Sequence, residues 1–315
     1  MTSPARIAPR FFMLICAYCL STASYGAEIS NWERSEITEV VMLGTGAPFA
    51  DPGRSGPSVA IVVNDTPYLV DFGPGVIRRA AAASPAYGGT VEGLDVKNIR
   101  HAFLTHLHSD HSVGYPDIIF TPWTLGRDKP LEVYGPEGTV AMTKHILAAW
   151  GEDIRYRLYG LEPTNNQGWR VNAHDISAGI VYKDENVTVE AFPVRHGSWP
   201  NAFGYKFTTP DRVIVISGDA APSESVEEHS IDADILIHEV YSAAGLEKRE
   251  TFWQTYHSNN HTSAVELGKI AGRAKPKLLI LYHILFFGSD EEQIIEEVER
   301  NFDGEVVMAR DLDVY

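Results

Sequence analysis

The feature that most constrains this chain is the hexapeptide His-Leu-His-Ser-Asp-His at residues 106–111, which directly follows an apolar run. Neighbouring side chains of a strand point to opposite faces, so a strand alone cannot direct four metal ligands at one point, whereas a loop leaving the strand can. His106 and His108 are two positions apart, so their side chains can face the same ion, which predicts one ion site. Asp110 and His111 predict a second site. Imidazole and carboxylate together suit zinc, and iron and manganese accept similar ligands. We therefore expect a buried strand to end at a metal site in this part of the chain.

Strand-like runs alternate with helical stretches along the chain. The strand-like runs are residues 39–43, 59–63, 68–71, 99–105, 131–134, 187–194, 203–208, 213–217, 235–238, 278–283 and 306–309. The helical stretches are residues 76–83, 139–150 and 293–301. Another helix is predicted to begin at Thr262 or Ser263, because Ser263 and Glu266 fit a capping box. Weak periodicity from 152 to 180 predicts a loop or insertion there, and the whole pattern predicts a layered α/β protein.

The N-terminal segment has the layout of a cleaved secretion signal. Arg6 and Arg10 precede an apolar stretch at residues 11–20, and small side chains follow. The stretch is too short to span a bilayer, which needs roughly 20 apolar residues. We expect residues 1–27 to be the signal and residues 28–315 to be one domain, periplasmic or secreted, with no stable membrane span after removal of the signal. A buried N-terminal helix is the alternative.

Cysteine content and charge exclude several functions. Both cysteines, Cys16 and Cys19, lie within the predicted signal, so the mature chain would have no thiolate to bind metal or attack a substrate. The net charge is −16 at pH 7, which repels polyanions. Nucleic acid is therefore not an expected partner.

Further candidate ligands stand at the ends of three other apolar runs. His196, Asp219 and His283 each close such a run, and each follows the hexapeptide in the chain. A single histidine after a strand is usually an ordinary loop residue. Three such positions together predict that their side chains meet the hexapeptide at one edge of the sheets.

These positions carry a resemblance to the metallo-β-lactamase superfamily of metal-dependent hydrolases. The matching features are residues 43–46, 71–73, 106–111 and 217–219, with His196 and His283. The resemblance implies a four-layer αβ/βα sandwich with two central mixed sheets. It also implies that the site lies at a sheet edge between the two halves.

The resemblance implies a role for each candidate ligand. The first of two divalent ions, with zinc favoured, would be held by His106, His108 and His196. The second would be held by Asp110, His111 and His283. Asp219 would bridge both ions, and Asp71 would brace the hexapeptide loop, unless it is only a turn-forming residue before glycines.

The expected chemistry is hydrolysis by water that two ions activate. Two ions about 3.5–4 Å apart can share a water and lower its pKa, and the resulting bridging hydroxide attacks a sulfate or phosphate ester. The same ions stabilise the charge that develops on the substrate oxygen. Asp110 would also orient the hydroxide, so it is a catalytic candidate as well as a ligand.

Two segments narrow the resemblance to the ribonuclease Z group. Residues 233–239 and 261–264 are similar to motifs of that group, which implies that His261 is a general acid and Glu239 its partner. The flexible basic arm of tRNA-processing members has no room here, because only 23 positions separate His196 from Asp219. The sequence thus favours an exported hydrolase of a small-molecule ester, of the arylsulfatase or phosphodiesterase type. The alternatives are a tRNA 3′-end endonuclease, a lactonase or β-lactamase, and a non-catalytic metal-binding protein; a homodimer is also possible.

Aromatic residues flank the ligand segments and either pack in the core or contact a flat substrate. They are Trp123, Trp199, Trp253, Tyr256 and His257.

Overall fold

The strands of the computed structural model, which describes residues 35, 37–162 and 164–315, form two sheets. The first sheet has the order β1-β2-β3-β4-β5-β6, and the second has the order β13-β12-β11-β10-β9-β8-β7. The strands of the first sheet are β1 Thr38–Gly44, β2 Ser58–Val63, β3 Thr66–Val70, β4 His101–Phe103, β5 Leu131–Gly135 and β6 Val171–Asp175. The strands of the second are β7 Gly179–Lys183, β8 Thr188–Pro193, β9 Phe203–Thr208, β10 Val213–Ile216, β11 Ile235–Tyr241, β12 Leu278–Leu285 and β13 Glu305–Met308.

The helices connect these strands and lie outside the sheets. They are α1 Val76–Ala83, α2 Ser109–Ser112, α3 Tyr115–Thr124, α4 Thr139–Ala149, α5 Gly151–Tyr159, α6 Glu224–Ser230, α7 Ala243–Glu247, α8 Thr251–Asn260, α9 Ala264–Ala274 and α10 Glu291–Glu299. Three short 3₁₀ turns occupy Pro85–Tyr87, Glu92–Leu94 and Val96–Asn98.

Both sheets are mixed. In the first, β1, β2 and β3 pair antiparallel, and β3 to β6 pair parallel. In the second, β10 to β13 pair parallel and β7 to β10 pair antiparallel. Parallel strands end at the same edge of their sheet, so the loops that follow them bring their side chains together.

Three apolar layers hold the sandwich together. A central layer joins residues of both sheets, such as Ile61 and Val40 from the first with Phe207 and Ile216 from the second. An outer layer packs α1 and α3 on the first sheet, and another packs α9 and α10 on the second. The predicted four-layer αβ/βα sandwich is therefore confirmed.

The prediction of a loop or insertion at 152–180 is confirmed for residues 160–162 and 164–170, which have no helix or strand, but was wrong for the elements on either side. This region contains most of α5 as well as the whole of β6. Ile154 is the one buried residue of α5, and β6 is an edge strand with no fully buried residue. Neither element therefore carries the apolar periodicity that sequence reasoning requires.

The predicted secretion signal at residues 1–27 lies outside the described residues. Across the part of the chain that is described, no helix combines the length and the apolar character needed to cross a bilayer.

Candidate metal centre

All seven predicted ligands meet at one edge of the sandwich, where the two sheets approach each other. His106 and His108 leave the end of β4, and the short helix α2 carries the next two ligands. The other three come from the second sheet, after β8, after β10 and within β12. The backbone N–H of Phe203 donates to Thr105 O at 2.9 Å, which ties the second sheet to the segment that begins the hexapeptide.

The first donor group contains three imidazoles and one carboxylate. His108 Nδ1 lies 2.9 Å from His106 Nε2 and 3.2 Å from His196 Nε2. Asp219 Oδ2 lies 3.9 Å from the Nε2 atoms of both His106 and His196. Four ligand atoms of these residues thus surround one point.

The second donor group uses the other oxygen of the same carboxylate. Asp219 Oδ1 lies 3.2 Å from His111 Nε2 and 3.4 Å from His283 Nε2. Asp110 Oδ2 lies 3.3 Å from His283 Nε2 and 3.6 Å from His111 Nε2. The two oxygens of Asp219 therefore face two separate donor groups, which is the arrangement predicted for a bridging ligand.

The donor set fits two divalent cations. Ligand atoms about 2.0 Å from a tetrahedral ion lie about 3.3 Å apart, and the separations in both groups bracket this value. His111 Nε2 and Asp219 Oδ1 are buried without a hydrogen-bond partner. Buried polar atoms are normally satisfied, so two such atoms facing each other indicate that a cation belongs between them.

Hydrogen bonds behind the ligands fix their orientation. Asp71 Oδ2 accepts from His111 Nδ1 at 2.7 Å and from the Thr105 hydroxyl at 2.9 Å, and Asp71 Oδ1 accepts from the Thr105 backbone N–H at 2.8 Å. His196 Nδ1 donates to Asn260 O at 2.7 Å. A ring that donates from Nδ1 keeps the lone pair of Nε2 for a metal. The placement of Asp71 agrees with the bracing role predicted for it.

Trp199 lies directly against His108, with its indole N–H donating to His108 Nε2 at 2.7 Å. This bond uses the lone pair of Nε2 and puts the ring proton on Nδ1, so a metal bound at Nδ1 would require that proton to move to Nε2 and this bond to break. The sequence had offered Trp199 as core packing or as a substrate contact, and neither describes this bond. Trp123 is buried in the core and donates to Asn165 O at 2.8 Å, so core packing is the one of its two predicted places that the structure shows.

His283 reaches the site through a β-bulge. The sequence predicted a strand that ends at His283, but β12 continues to Leu285. Glu239 pairs with Tyr282 and Val240 pairs with Ile284, so His283 is the extra residue, and its φ is +45°. A bulge redirects one side chain without ending the strand.

Charge at the second donor group is balanced between carboxylates and imidazoles. Burial alone would lower the pKa of His111, but Asp219 and Asp71 outweigh it and raise this pKa well above its usual value. Burial alone would raise the pKa of Asp219, but His283 and His111 outweigh it and hold this pKa well below the usual range. Asp219 is therefore ionised and can attract positive charge on both of its sides.

Glu239 and His261 lie side by side against the metal centre. Glu239 Oε2 is 3.5 Å from His261 Nδ1, and Glu239 Oε1 accepts from the Thr262 backbone N–H at 2.8 Å. Burial, and next the charge of Asp219, raise the pKa of Glu239 well above its usual value. Burial lowers the pKa of His261 to about 4. These opposite shifts favour a proton on the carboxyl group and a neutral imidazole beside it.

The family follows from the chain's match to a model of known domains. Residues 66–284 match the model described as "Beta-lactamase superfamily domain". The chain belongs to this superfamily. Among curated superfamily members, Ribonuclease Z of Mycobacterium sp. (strain KMS) is 31% identical over 251 residues, which cover 79% of this chain and 85% of that one. Ribonuclease Z of Mycobacterium bovis (strain BCG / Pasteur 1173P2) is 29% identical over 282 residues, covering 88% and 97% of the two chains.

Two solved structures share the fold. A metallo-beta-lactamase fold protein from Bacillus subtilis has a TM-score of 0.68 at 18% identity, covering 89% of this chain and 99% of that one. The short form of human tRNase Z has a TM-score of 0.64 at 22% identity, covering 88% and 98%. The resemblance to the ribonuclease Z-like branch is thus confirmed, while the arylsulfatase type stays a prediction.

Two supporting residues escaped the sequence analysis. Asn260 acts through its backbone carbonyl, which every residue type has, so the sequence gives no signal for this role. Thr105 lies between Asp71 and His106, with its hydroxyl 3.0 Å from His106 Nδ1. Its place directly before the hexapeptide was the one signal that could have marked it.

Proposed function

We propose that the protein is a metal-dependent phosphodiesterase of the ribonuclease Z type. The observation that carries this proposal is the pair of donor groups that share Asp219, with Glu239 and His261 beside them. The similarity to proteins named Ribonuclease Z, which cover most of this chain, supports phosphodiester bonds over other esters.

The distances between the donor atoms divide the seven candidate ligands between two cations. One divalent cation, with zinc favoured, would be held by His106, His108, His196 and one oxygen of Asp219. A second would be held by Asp110, His111, His283 and the other oxygen. When bound, such a pair of cations supplies a water of lowered pKa and positive charge beside a phosphoryl oxygen.

His261 and Glu239 move the proton that the leaving oxygen needs. Neutral His261 accepts a proton at Nδ1 from the carboxyl group of Glu239 as it gives up the proton on Nε2. The 3.5 Å separation of Glu239 Oε2 and His261 Nδ1 and the raised pKa of Glu239 support this relay. Proton donation by a positioned side chain typically contributes about 10²–10⁴-fold to a rate.

A second candidate is hydrolysis of small phosphate or sulfate esters in the periplasm or outside the cell. Only β9, β10 and their short connections lie between His196 and Asp219, and the chain carries a net charge of −16. Both observations favour a substrate with few charges over a long RNA. The N-terminal pattern at residues 1–27 supports the location.

Substrate assays on metal-loaded protein separate these functions. We expect hydrolysis of bis(p-nitrophenyl) phosphate that a chelator abolishes and added zinc or manganese restores. Cleavage of a precursor tRNA at physiological salt would assign the ribonuclease, and its absence would assign small diesters. Hydrolysis of p-nitrophenyl sulfate or a lactone without any diester hydrolysis would contradict the proposal.

A further inference from the structure

Helix α8 presents aromatic side chains to solvent next to the metal centre. Phe252, Trp253 and Tyr256 are 68%, 46% and 40% exposed. Exposed apolar clusters of this kind commonly mark an interaction site. Helix α8 is followed directly by His261, so the aromatic face adjoins the proposed proton donor.

A groove separates this face from the segment that follows β8. Its volume is about 410 Å³, within the range of small-ligand sites. Phe252 and Tyr256 are four residues apart on α8, so their rings lie on the same side of the helix. Arg195 and Gly197 line one wall of the groove, and Phe252 and Tyr256 line the other.

The groove is built onto the metal centre. Its two walls are joined where His196 Nδ1 donates to Asn260 O at 2.7 Å and the Gly197 N–H donates to Asn259 O at 3.1 Å. Gly197 has φ +53°, and a Cβ there would lie 2.0 Å from Asn260 Oδ1. The positive φ and this close approach favour glycine at position 197, which lets the two walls of the groove meet beside His196.

The charge of the groove is opposite to that of the whole chain. Arg195 is exposed, and it is the one charged residue among the described residues that line the groove. The net charge of the chain is −16. An arginine beside two accessible rings is suited to a flat aromatic group attached to a phosphate, through stacking and a charge-assisted hydrogen bond.

We propose that this groove binds the nucleoside group of the phosphodiester substrate, with its base stacked against Tyr256 and Phe252. This inference rests on the proposed function and narrows its substrate to nucleoside-bearing diesters. Tyr256, Phe252 and Arg195 are then specificity residues that act on binding.

Binding of two probes to zinc-loaded protein tests the inference. Adenosine 5′-monophosphate and methyl phosphate carry the same phosphate head and differ in their organic group. By titration calorimetry we expect the wild type to bind the nucleotide about tenfold more tightly, since stacking contributes about 1–3 kcal/mol per base. Tyr256→Ala should remove most of this preference, and Tyr256→Phe should retain it. Tyr159→Ala, which removes a more exposed ring from α5 outside the groove, is the control and should match the wild type.

Kinetics and sedimentation supply the second readout. For a nucleoside phosphodiester we expect Tyr256→Ala to raise KM about tenfold, with a much smaller change in kcat. Equal affinity of the wild type for both probes would overturn the inference. So would a Tyr256→Ala variant that keeps the nucleotide preference but loses a dimer in sedimentation velocity, because the face would then contact a second copy. The calorimetry does not require turnover. A preference for the nucleotide without hydrolysis of any diester would therefore refute the proposed function and still support binding of a nucleoside in the groove.

Discussion

Asp71 Oδ2 lies 2.7 Å from Nδ1 of His111, and this buried pair sets the orientation of the second donor group. The backbone of Asp71 has φ +59°, a left-handed conformation that is uncommon for a non-glycine residue. Because His111 donates its Nδ1 proton to this carboxylate, Nε2 is the ring atom that faces Asp219, and a bound metal ion would take the place of the Nε2 proton.

Asp71→Asn should weaken metal binding. An amide keeps the shape of the side chain and an acceptor for the Thr105 N–H, but it withdraws the negative charge behind His111. Loss of such a partner typically lowers metal affinity about 10–100-fold. Competition with a chromogenic chelator measures the change, and Asp303→Asn at an exposed site should leave affinity unchanged. An Asp71→Asn variant with wild-type affinity would show that the pair is merely structural.

Asp219→Ala should remove both ions rather than one. Its two oxygens face separate donor groups, and its charge opposes the repulsion between the ions. Metal analysis after gel filtration should give two zinc ions per chain for the wild type and close to none for the variant. His283→Ala is the matched comparison, because it removes a ligand of the second group alone and should retain about one ion. Retention of both ions by Asp219→Ala would contradict a bridging role.

The role of His261 predicts a dependence on the leaving group. For diesters with an alkoxide leaving group, His261→Ala should lower kcat about 10²-fold or more, because the departing oxygen loses its proton donor. For bis(p-nitrophenyl) phosphate the fall should be much smaller, since nitrophenolate departs without protonation. Metal content should stay at the wild-type value. An equal fall for both substrates would assign His261 to another task.

The raised pKa of Glu239 predicts how Glu239→Gln changes stability with pH. The folded metal-free protein holds the Glu239 proton more tightly than the unfolded chain, whose glutamates titrate near 4.3. Folding stability from this group is therefore fully present below about pH 4.3 and decreases as pH rises toward the folded pKa. Glutamine has no carboxylate to ionise, and its oxygen can still accept from the Thr262 N–H.

Thermal unfolding in the presence of a chelator tests the direction of this pH dependence. The difference in Tm between Glu239→Gln and wild type should become more positive from about pH 4 to pH 8. Glu305→Gln, at a group on β13 away from the site, is the control and should show no such trend. A difference that moves the other way would mean that Glu239 is ionised in the folded protein.

The sequence predicted which polar side chains meet at the sheet edge, and this has a physical reason. Each ligand segment follows or lies within an apolar strand whose residues pack in the central layer or under a helix, and such runs stand out in the sequence because few polar residues interrupt them. A polar residue directly after such a run stands at the edge of the sheet, which is how His196 and Asp219 were found. The ligand roles themselves came from the family resemblance.

The missed features depend on the backbone or lack an apolar pattern. The bulge at His283 arises from strand register, and the contact at His196 uses a backbone carbonyl of Asn260. Helix α5 and strand β6 bury so little that their sequences resemble loops. The sequence alone could not reveal the contact between Trp199 and His108, because the two residues lie in loops that follow strands of different sheets.

A zinc-edge anomalous diffraction map of crystals grown with zinc would show directly whether Asp219 lies between two ions. We expect two strong peaks on opposite sides of the Asp219 carboxylate, one beside His106, His108 and His196 and the other beside Asp110, His111 and His283. A map with no peak within bonding distance of either Asp219 oxygen, from protein shown to be folded and zinc-exposed, would contradict this expectation.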